Sequence, residues 1–366
     1  MPAADSATTG RTTSNGSVAG EPRDASTGRA VRTRSLIDWI CHHWGLTAPQ
    51  RHAPDLGGSL NLNLLLSATH GPVVARVYQA DVTQTRLQAI QHVRGHVAEG
   101  GVPCAAPLPS RDGLPFVEVD GHLVEVEDFV DREANMDTWQ RLSAGLPLFG
   151  RLHSSMAEAV VTEAGRYPPW ANHVAADAAL TWTSAATGQI RTCGPTEDER
   201  QLADTADELA EHLAELEPAL LAELPSQLVH GDFWDNNVYF VAGQPIHVAD
   251  FDFMGQRPRI DDLALTLFYT NSTWNHDPDS DVRLGQLRHL VDRYDGGLAR
   301  RLSADERAAL PLAIARTVLA FVGMVPYISD LDHRRQHIAS RFVDVQWCNS
   351  IAKNLGRWQQ SFLSPA

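Results

Sequence analysis

The chain has 366 residues, 43% of them hydrophobic, with four cysteines and a formal net charge of -15 at neutral pH. That length can bury ample core and favours two lobes over one, while the negative balance speaks against nucleic acid and anionic membranes as partners, since both need a positive face. No run of eighteen apolar residues occurs, so no transmembrane helix is expected, and Cys41, Cys104, Cys193 and Cys348 show neither zinc-type spacing nor a disulfide framework, which fits a reducing cytoplasm.

Residues 1–35, rich in Ser, Thr, Gly, Ala and Arg and without the apolar block of a secretory signal, predict a disordered tail. A helix over 35–45 follows from Leu36, Ile40 and Trp44 at spacing four. The stretch Asp55-Leu56-Gly57-Gly58-Ser59-Leu60-Asn61 then opens two strands, over 62–67 and 73–78, joined by a turn at His70-Gly71-Pro72. Over 83–99 the face Leu87, Ile90, Val93, Val97 predicts a helix that Gly101-Val102-Pro103 stops. A second hairpin, 114–119 with 123–129, turns at Asp120-Gly121, and the boundary between lobes falls near residue 130. From there the pattern is helical, over 138–157, 198–224, 262–269, 283–294, 304–328 and 335–362, with no internal repeat.

One short segment between strands carries the chemistry. Leu228-Val229 leads into His230-Gly231-Asp232-Phe233-Trp234-Asp235-Asn236-Asn237, Val238-Tyr239-Phe240 leads out, and a turn at Ala242-Gly243-Gln244-Pro245 returns the chain along Ile246-His247-Val248 to Asp250-Phe251-Asp252. A hairpin of this kind brings Asn237 and Asp250 to one mouth, where two oxygen ligands suit Mg2+. Asp232 lies on the loop itself, placed to align the proton of an incoming hydroxyl. The spacing His-x-Asp-x4-Asn is that of a kinase catalytic loop. Asp and Asn are also common turn residues, so the weight comes from the loop together with Asp250-Phe251 and with Asp262-Leu263-Ala264 at the head of an apolar helix.

At these residues the chain resembles the aminoglycoside phosphotransferase family, the kinase-like group that includes choline kinases, methylthioribose kinases and one type of homoserine kinase. The likeness runs from about residue 36 to about residue 362. It implies a two-lobed α+β protein-kinase-like fold, with an antiparallel sheet in a nucleotide-binding lobe over 36–130 and a mostly helical catalytic and acceptor-binding lobe over 131–366. It also implies Asp232 as catalytic base, Asn237 and Asp250 as Mg2+ ligands, and Asp262 as anchor of the loop. ATP would lie against Gly57, Gly58 and Ser59, whose missing or small side chains let backbone N–H groups approach phosphate, and against the hinge that begins near Glu127 and Phe129. Trp274 and Asp277 fall where the family lines its acceptor pocket.

Two positions depart from the pattern. Lys353 is the only lysine, so the strand position that would contact the α and β phosphates carries Arg76, and the following helix offers Gln88 and Gln91 but no glutamate before Glu99. The reading is therefore an ATP-dependent phosphotransferase acting on a hydroxyl of a small molecule. An aminoglycoside-like antibiotic would suit the acidic chain and make this a resistance enzyme. Homoserine or an amino alcohol fits the motifs as well, and a nucleotide-binding pseudokinase regulator is the rival of another class.

Overall fold

The computed structural model describes residues 29–49, 53–58, 60–169, 172–221, 224–274 and 280–363. The expected tail over 1–35 lies outside the described residues as far as 28, but beyond that point the chain is held. Arg29 pairs with Asp55 at 2.9 Å and donates to the Asn61 carbonyl, and Arg32 donates to the Ala53 carbonyl. Helix α1 (Arg34–Trp44) starts on a Thr33 hydroxyl that accepts from the Leu36 N–H, and stops at Gly45, where φ is 67°.

Strands β1 (Leu62–Ala68) and β2 (Gly71–Val77) pair antiparallel. Helix α2 (Gln84–Glu99) then crosses to β3 (Val117–Val119) and β4 (His122–Asp128), giving one four-stranded sheet in the order β1-β2-β4-β3. Side-chain alternation sorts its two faces. Leu62, Leu64, Leu66, Val73, Ala75, Val77, Val124 and Val126 bury against α1, each such aliphatic side chain contributing about 1.5–3 kcal/mol. The residues between them in sequence, Arg76, Glu125 and Glu127 among them, turn to the other face.

The second lobe opens with β5 (Ala134–Asn135), α3 (Trp139–Met156) and the one-turn α4 (Glu163–Arg166). Helices α5 (Ala176–Thr192) and α6 (Glu197–Leu221) follow, packed on each other. The catalytic segment runs through β6 (Ser226–Val229), a 3-10 turn at Asp235–Asn237, β7 (Val238–Val241), β8 (Gln244–Val248) and β9 (Gly255–Pro258). It forms two small antiparallel assemblies, β5-β7-β8 and β6-β9. Helices α7 (Arg259–Trp274), α8 (Asp281–Gly297), α9 (Ala304–Val322), α10 (Leu331–Lys353) and α11 (Leu355–Leu363) complete the lobe.

Three expectations change here. Helix α5 had no counterpart, because its small residues give no apolar stripe. The single helix expected over 335–362 breaks at Asn354, whose amide donates to the Ser350 carbonyl. Helix α9 ends at Val322, short of the expected 328, and a 3-10 turn follows at Val325–Tyr327; Gly323 between them lies hard against the Trp182 indole, where a side chain would overlap the ring. Although α9 is long and apolar enough to cross a membrane by length and composition alone, it is the buried centre of the lobe, enclosed by α5, α6, α7, α10 and α11.

Candidate active site

Strand β6 delivers His230 into a loop pinned from behind. Gly231 has φ of 89°, and a Cβ there would run into the Phe253 carbonyl. Its N–H donates to Asp262 Oδ2 at 2.9 Å, and the same oxygen accepts from His153 Nε2 at 3.0 Å. Tyr294 closes the chain on His153 Nδ1 at 2.6 Å, while Arg257 Nη2 lies 3.6 Å from Asp262 Oδ1. Burial alone would raise the Asp262 pKa, but the His153 hydrogen bond and the Arg257 charge outweigh it and hold the carboxyl well below the usual range. His230 donates from Nε2 to the Ala249 carbonyl at 3.0 Å and accepts from the Asp232 N–H at Nδ1. That fixes a neutral tautomer bracing the two motif segments, and burial lowers its pKa accordingly.

The loop presents Asp232 beside Asn237. The Asn237 amide donates to Asp232 Oδ2 at 2.8 Å and to the Asp232 carbonyl at 2.9 Å, which turns the amide oxygen to other partners. Asp250 reaches the same mouth in a left-handed conformation, φ 62°, with Oδ1 3.5 Å from Arg76 Nη1. Asp252 Oδ1 lies 3.6 Å from the same nitrogen, and its other oxygen accepts from Asn61. Burial first, and the Asp250 charge second, push the Asp232 carboxyl up to about 7, and the same two causes push Asp252 to about 7. Carboxyl groups gathered around Asp250 in this way leave a place for a cation. Asp252 Oδ1 is buried without a hydrogen-bond partner among the described residues, and no closed cage of three or more ligating side chains occurs among them, so the donors suit an open oxygen-rich site.

The other singled-out residues are distributed as follows. Gly57 and Gly58, φ 88° and 116°, form the turn before β1, closed by Leu56 N–H to the Asn63 carbonyl and Asn63 Nδ2 to the Gly57 carbonyl. Ser59 and Asp277 lie outside the described residues, as does the side chain of Trp274. Arg76 and Glu127 line one cleft with Tyr78, His247, Asp250 and Asp252. The Glu127 carboxylate faces Arg94 at 2.8 Å, and the Phe129 N–H is donated to the Pro72 carbonyl at 3.1 Å. No acidic side chain of α2 meets Arg76, and Gln91 donates to Glu125 rather than to the arginine.

Several participants carried no signal in the sequence. Asn172 donates to the Gly231 carbonyl at 2.6 Å and comes within 3.5 Å of Asp232 Oδ1, though it precedes the loop by about sixty residues. Arg86 of α2 donates to four backbone carbonyls, those of Ala164, Gly165, Asp252 and Met254. Next to Asn172 begins a cleft of about 740 Å³ lined by His173, Asp177, Glu217, Arg257, Asp261 and Arg316. Arg316 pairs with Glu217 and Asp261, and Arg257 contacts His173. Burial raises Glu217 to about 7, and its Oε2 and Arg257 Nε have no hydrogen-bond partner among the described residues.

Residues 52–302 match the model of the phosphotransferase enzyme family, APH. Homoserine kinase of Bradyrhizobium diazoefficiens is 26% identical over 269 residues, which cover 72% of this chain and 75% of that protein. Among solved structures, a microcompartment-associated aminopropanol kinase superposes with a TM-score of 0.65 at 18% identity, covering 91% of this chain and 99% of its own. An amicoumacin kinase in complex with AMP-PNP, Ca2+ and Ami superposes with a TM-score of 0.64 at 15% identity, covering 88% and 94%. The chain belongs to the phosphotransferase enzyme family and has its kinase-like, two-lobed α+β fold. It is a small-molecule phosphotransferase.

Proposed function

We propose that this protein transfers the γ-phosphate of ATP to the hydroxyl of a small amino-acid-like alcohol, of which homoserine is the model, with residues 36–130 as nucleotide lobe and 131–366 as catalytic and acceptor lobe. The observation that carries the reaction is the convergence of Asp232, Asn237 and Asp250 on one mouth. Asp232 aligns the acceptor hydroxyl and takes its proton, held in place by the Asn237 amide and by the Asp262 anchor behind Gly231. Asn237 and Asp250 supply oxygens to Mg2+, which when bound neutralises charge on the transferred group. Arg76 and the Gly57-Gly58 turn meet the remaining phosphates. The catalytic part of the work is positioning and charge compensation on a rigid loop, without a covalent intermediate.

For the acceptor, the cleft beside Asn172 favours a molecule with both charges. Its wall carries Arg257 and Arg316 together with Glu217 and Asp261, and among the described residues its unpartnered atoms are an acceptor on Glu217 and two donors on the Arg257 guanidinium. An amino acid offers an ammonium to one and a carboxylate to the other, in keeping with the homoserine kinase relatives. A second reading, an aminoglycoside-like antibiotic with resistance as the outcome, draws on the net charge of -15. The described cysteines are free, which suits a cytoplasmic enzyme.

The test is ADP release with Mg-ATP against homoserine, 3-amino-1-propanol, choline, methylthioribose and a set of aminoglycosides. Homoserine should give the highest kcat/KM, and a higher value for any aminoglycoside would overturn the acceptor assignment. Asp232→Ala should lower turnover by about 10³ or more while leaving ATP affinity nearly unchanged. ATP binding without turnover on any acceptor would point to a pseudokinase regulator.

A further inference from the structure

Arg76 has no partner on α2, yet it is not alone on its face of the sheet. Arg76 and Glu125 are register partners on β2 and β4, and Glu127 stands opposite Val74 two residues on. Both glutamates are held from above by one side chain of α2. Arg94 Nη1 reaches Glu125 Oε1 at 2.6 Å and Nη2 reaches Glu127 Oε2 at 2.8 Å. Tyr78 and Gln91 complete the shell of Glu125 at 2.7 and 2.8 Å, so that this fully buried carboxylate is saturated.

Arg94 reaches further. Its Nε and Nη2 also donate to the Ala105 carbonyl at 3.0 and 2.5 Å. Two residues before Ala105, the Pro103 carbonyl accepts from Val248 N–H at 2.7 Å, at the end of the strand that delivers Asp250. One guanidinium therefore ties α2, the sheet and the approach to Asp250 together, which a carboxylate, with acceptors only, could not do.

We propose that Arg94 is a positioning residue for the nucleotide half of the site, resting on the reading that a nucleotide binds beside Arg76. The helix-to-sheet ion pair of kinases is present with its charges exchanged: the helix carries the cation, and β4 carries the carboxylates that stand behind Arg76. Arg94 occupies Glu125 and Glu127, and Arg76 is thereby left to point at the mouth, its Nη1 3.5 and 3.6 Å from Asp250 and Asp252. Without Arg94 the two buried glutamates would have Arg76 as their nearest cation, and it would be drawn back into the sheet.

The test is direct binding of a nonhydrolysable ATP analogue with Mg2+ by calorimetry, alongside KM for ATP and kcat. Arg94→Gln should weaken analogue binding about 10-fold or more, the worth of one charge-assisted contact. Removing both matching negative charges as well, in Arg94→Gln with Glu125→Gln and Glu127→Gln, should restore affinity to within about 3-fold. Arg94→Lys keeps the charge but cannot bridge both carboxylates, and should raise KM for ATP about 3-fold at little changed kcat. Should Arg94→Gln fail to fold, the lysine variant decides the matter through that split. Wild-type affinity in a folded Arg94→Gln, unchanged KM for ATP in Arg94→Lys, or a triple variant no better than the single overturns the proposal alone. Failure of the wild type to bind the analogue overturns it together with the functional reading.

Discussion

Replacing Gly231 by alanine separates the geometry of the catalytic loop from its chemistry, because no functional group is removed. Two costs arise. The residue sits at φ of 89°, where a Cβ is disfavoured by about 1 kcal/mol. The new methyl would also overlap the Phe253 carbonyl, well inside the 3.0 Å that real Cβ contacts respect. That oxygen is backbone, and its neighbourhood is fixed, since Arg86 holds the carbonyls of Asp252 and Met254 on either side at 2.9 and 2.7 Å. The loop must therefore give way, by roughly 1 Å, and a displacement of that size at the reacting group costs about 10² in rate. Asp232 is the next residue, so its 2.8 Å contact with Asn237 moves first. Gly243→Ala is the control: its φ of 73° carries a similar backbone penalty, but nothing lies within 4 Å of its Cβ. Steady-state ADP release and thermal melting of both variants give the comparison. Gly243→Ala should lose about 1 kcal/mol of stability and keep its turnover, whereas Gly231→Ala should lose kcat about 100-fold with KM for ATP little changed. A Gly231→Ala enzyme within about 3-fold of wild-type kcat would refute the claim that this contact positions the loop.

Other outcomes follow from the same framework. With Asp232 raised to about 7 by burial and by the Asp250 charge, the base is half protonated at neutral pH, and kcat/KM should fall about 10-fold per unit as pH drops below that value; a profile flat from pH 5 to 8 would contradict the assignment. The raised pKa also means that the folded state holds this proton better than the unfolded chain does. Its stability contribution is therefore full below about pH 4 and lost as pH rises through about 7, and Asp232→Asn should flatten that slope in urea titrations. Asp262→Asn places an amide against the Gly231 N–H and His153 and leaves Arg257 without its carboxylate, so unfolding free energy should fall by about 3–5 kcal/mol; a loss under about 1 kcal/mol would show that the anchor is dispensable. Arg86→Gln frees the carbonyls of Asp252 and Met254, and amide exchange over 251–255 should speed up while that in α9 stays slow.

What could be read from the sequence is the half of the site that the chain builds locally. From His230 to Asp262 the groups proposed to react are set by two short strand pairs and a helix start, so spacing alone places Asp232, Asn237 and Asp250 near one another. The α1 and α2 stripes and the β1–β2 alternation were likewise visible as apolar periodicity. Arg86 and Arg94 were hidden by the same logic: on a helix judged by its apolar face, Leu87, Ile90, Val93 and Val97, arginines read as solvent-facing, yet both are buried. What buries them lies elsewhere in the chain, backbone carbonyls in one case and the β4 glutamates in the other. Alternation along β4 turns the Glu125 and Glu127 side chains inward together, a placement that reading the end of the strand as hinge backbone does not address. The apparently missing helix glutamate has the same origin, because the local pattern records which residue types a helix holds but not the charge of the strand it covers. Asn172 and His173 come from a segment before α5 with no motif of its own, and meet residues far along the chain, Gly231 in one case and Arg257 in the other. The groups proposed for the metal are therefore constrained by spacing, whereas those proposed for the nucleotide and the acceptor are constrained by tertiary charge balance. In such a site a cation and an anion can exchange places between helix and strand while the pair between them survives.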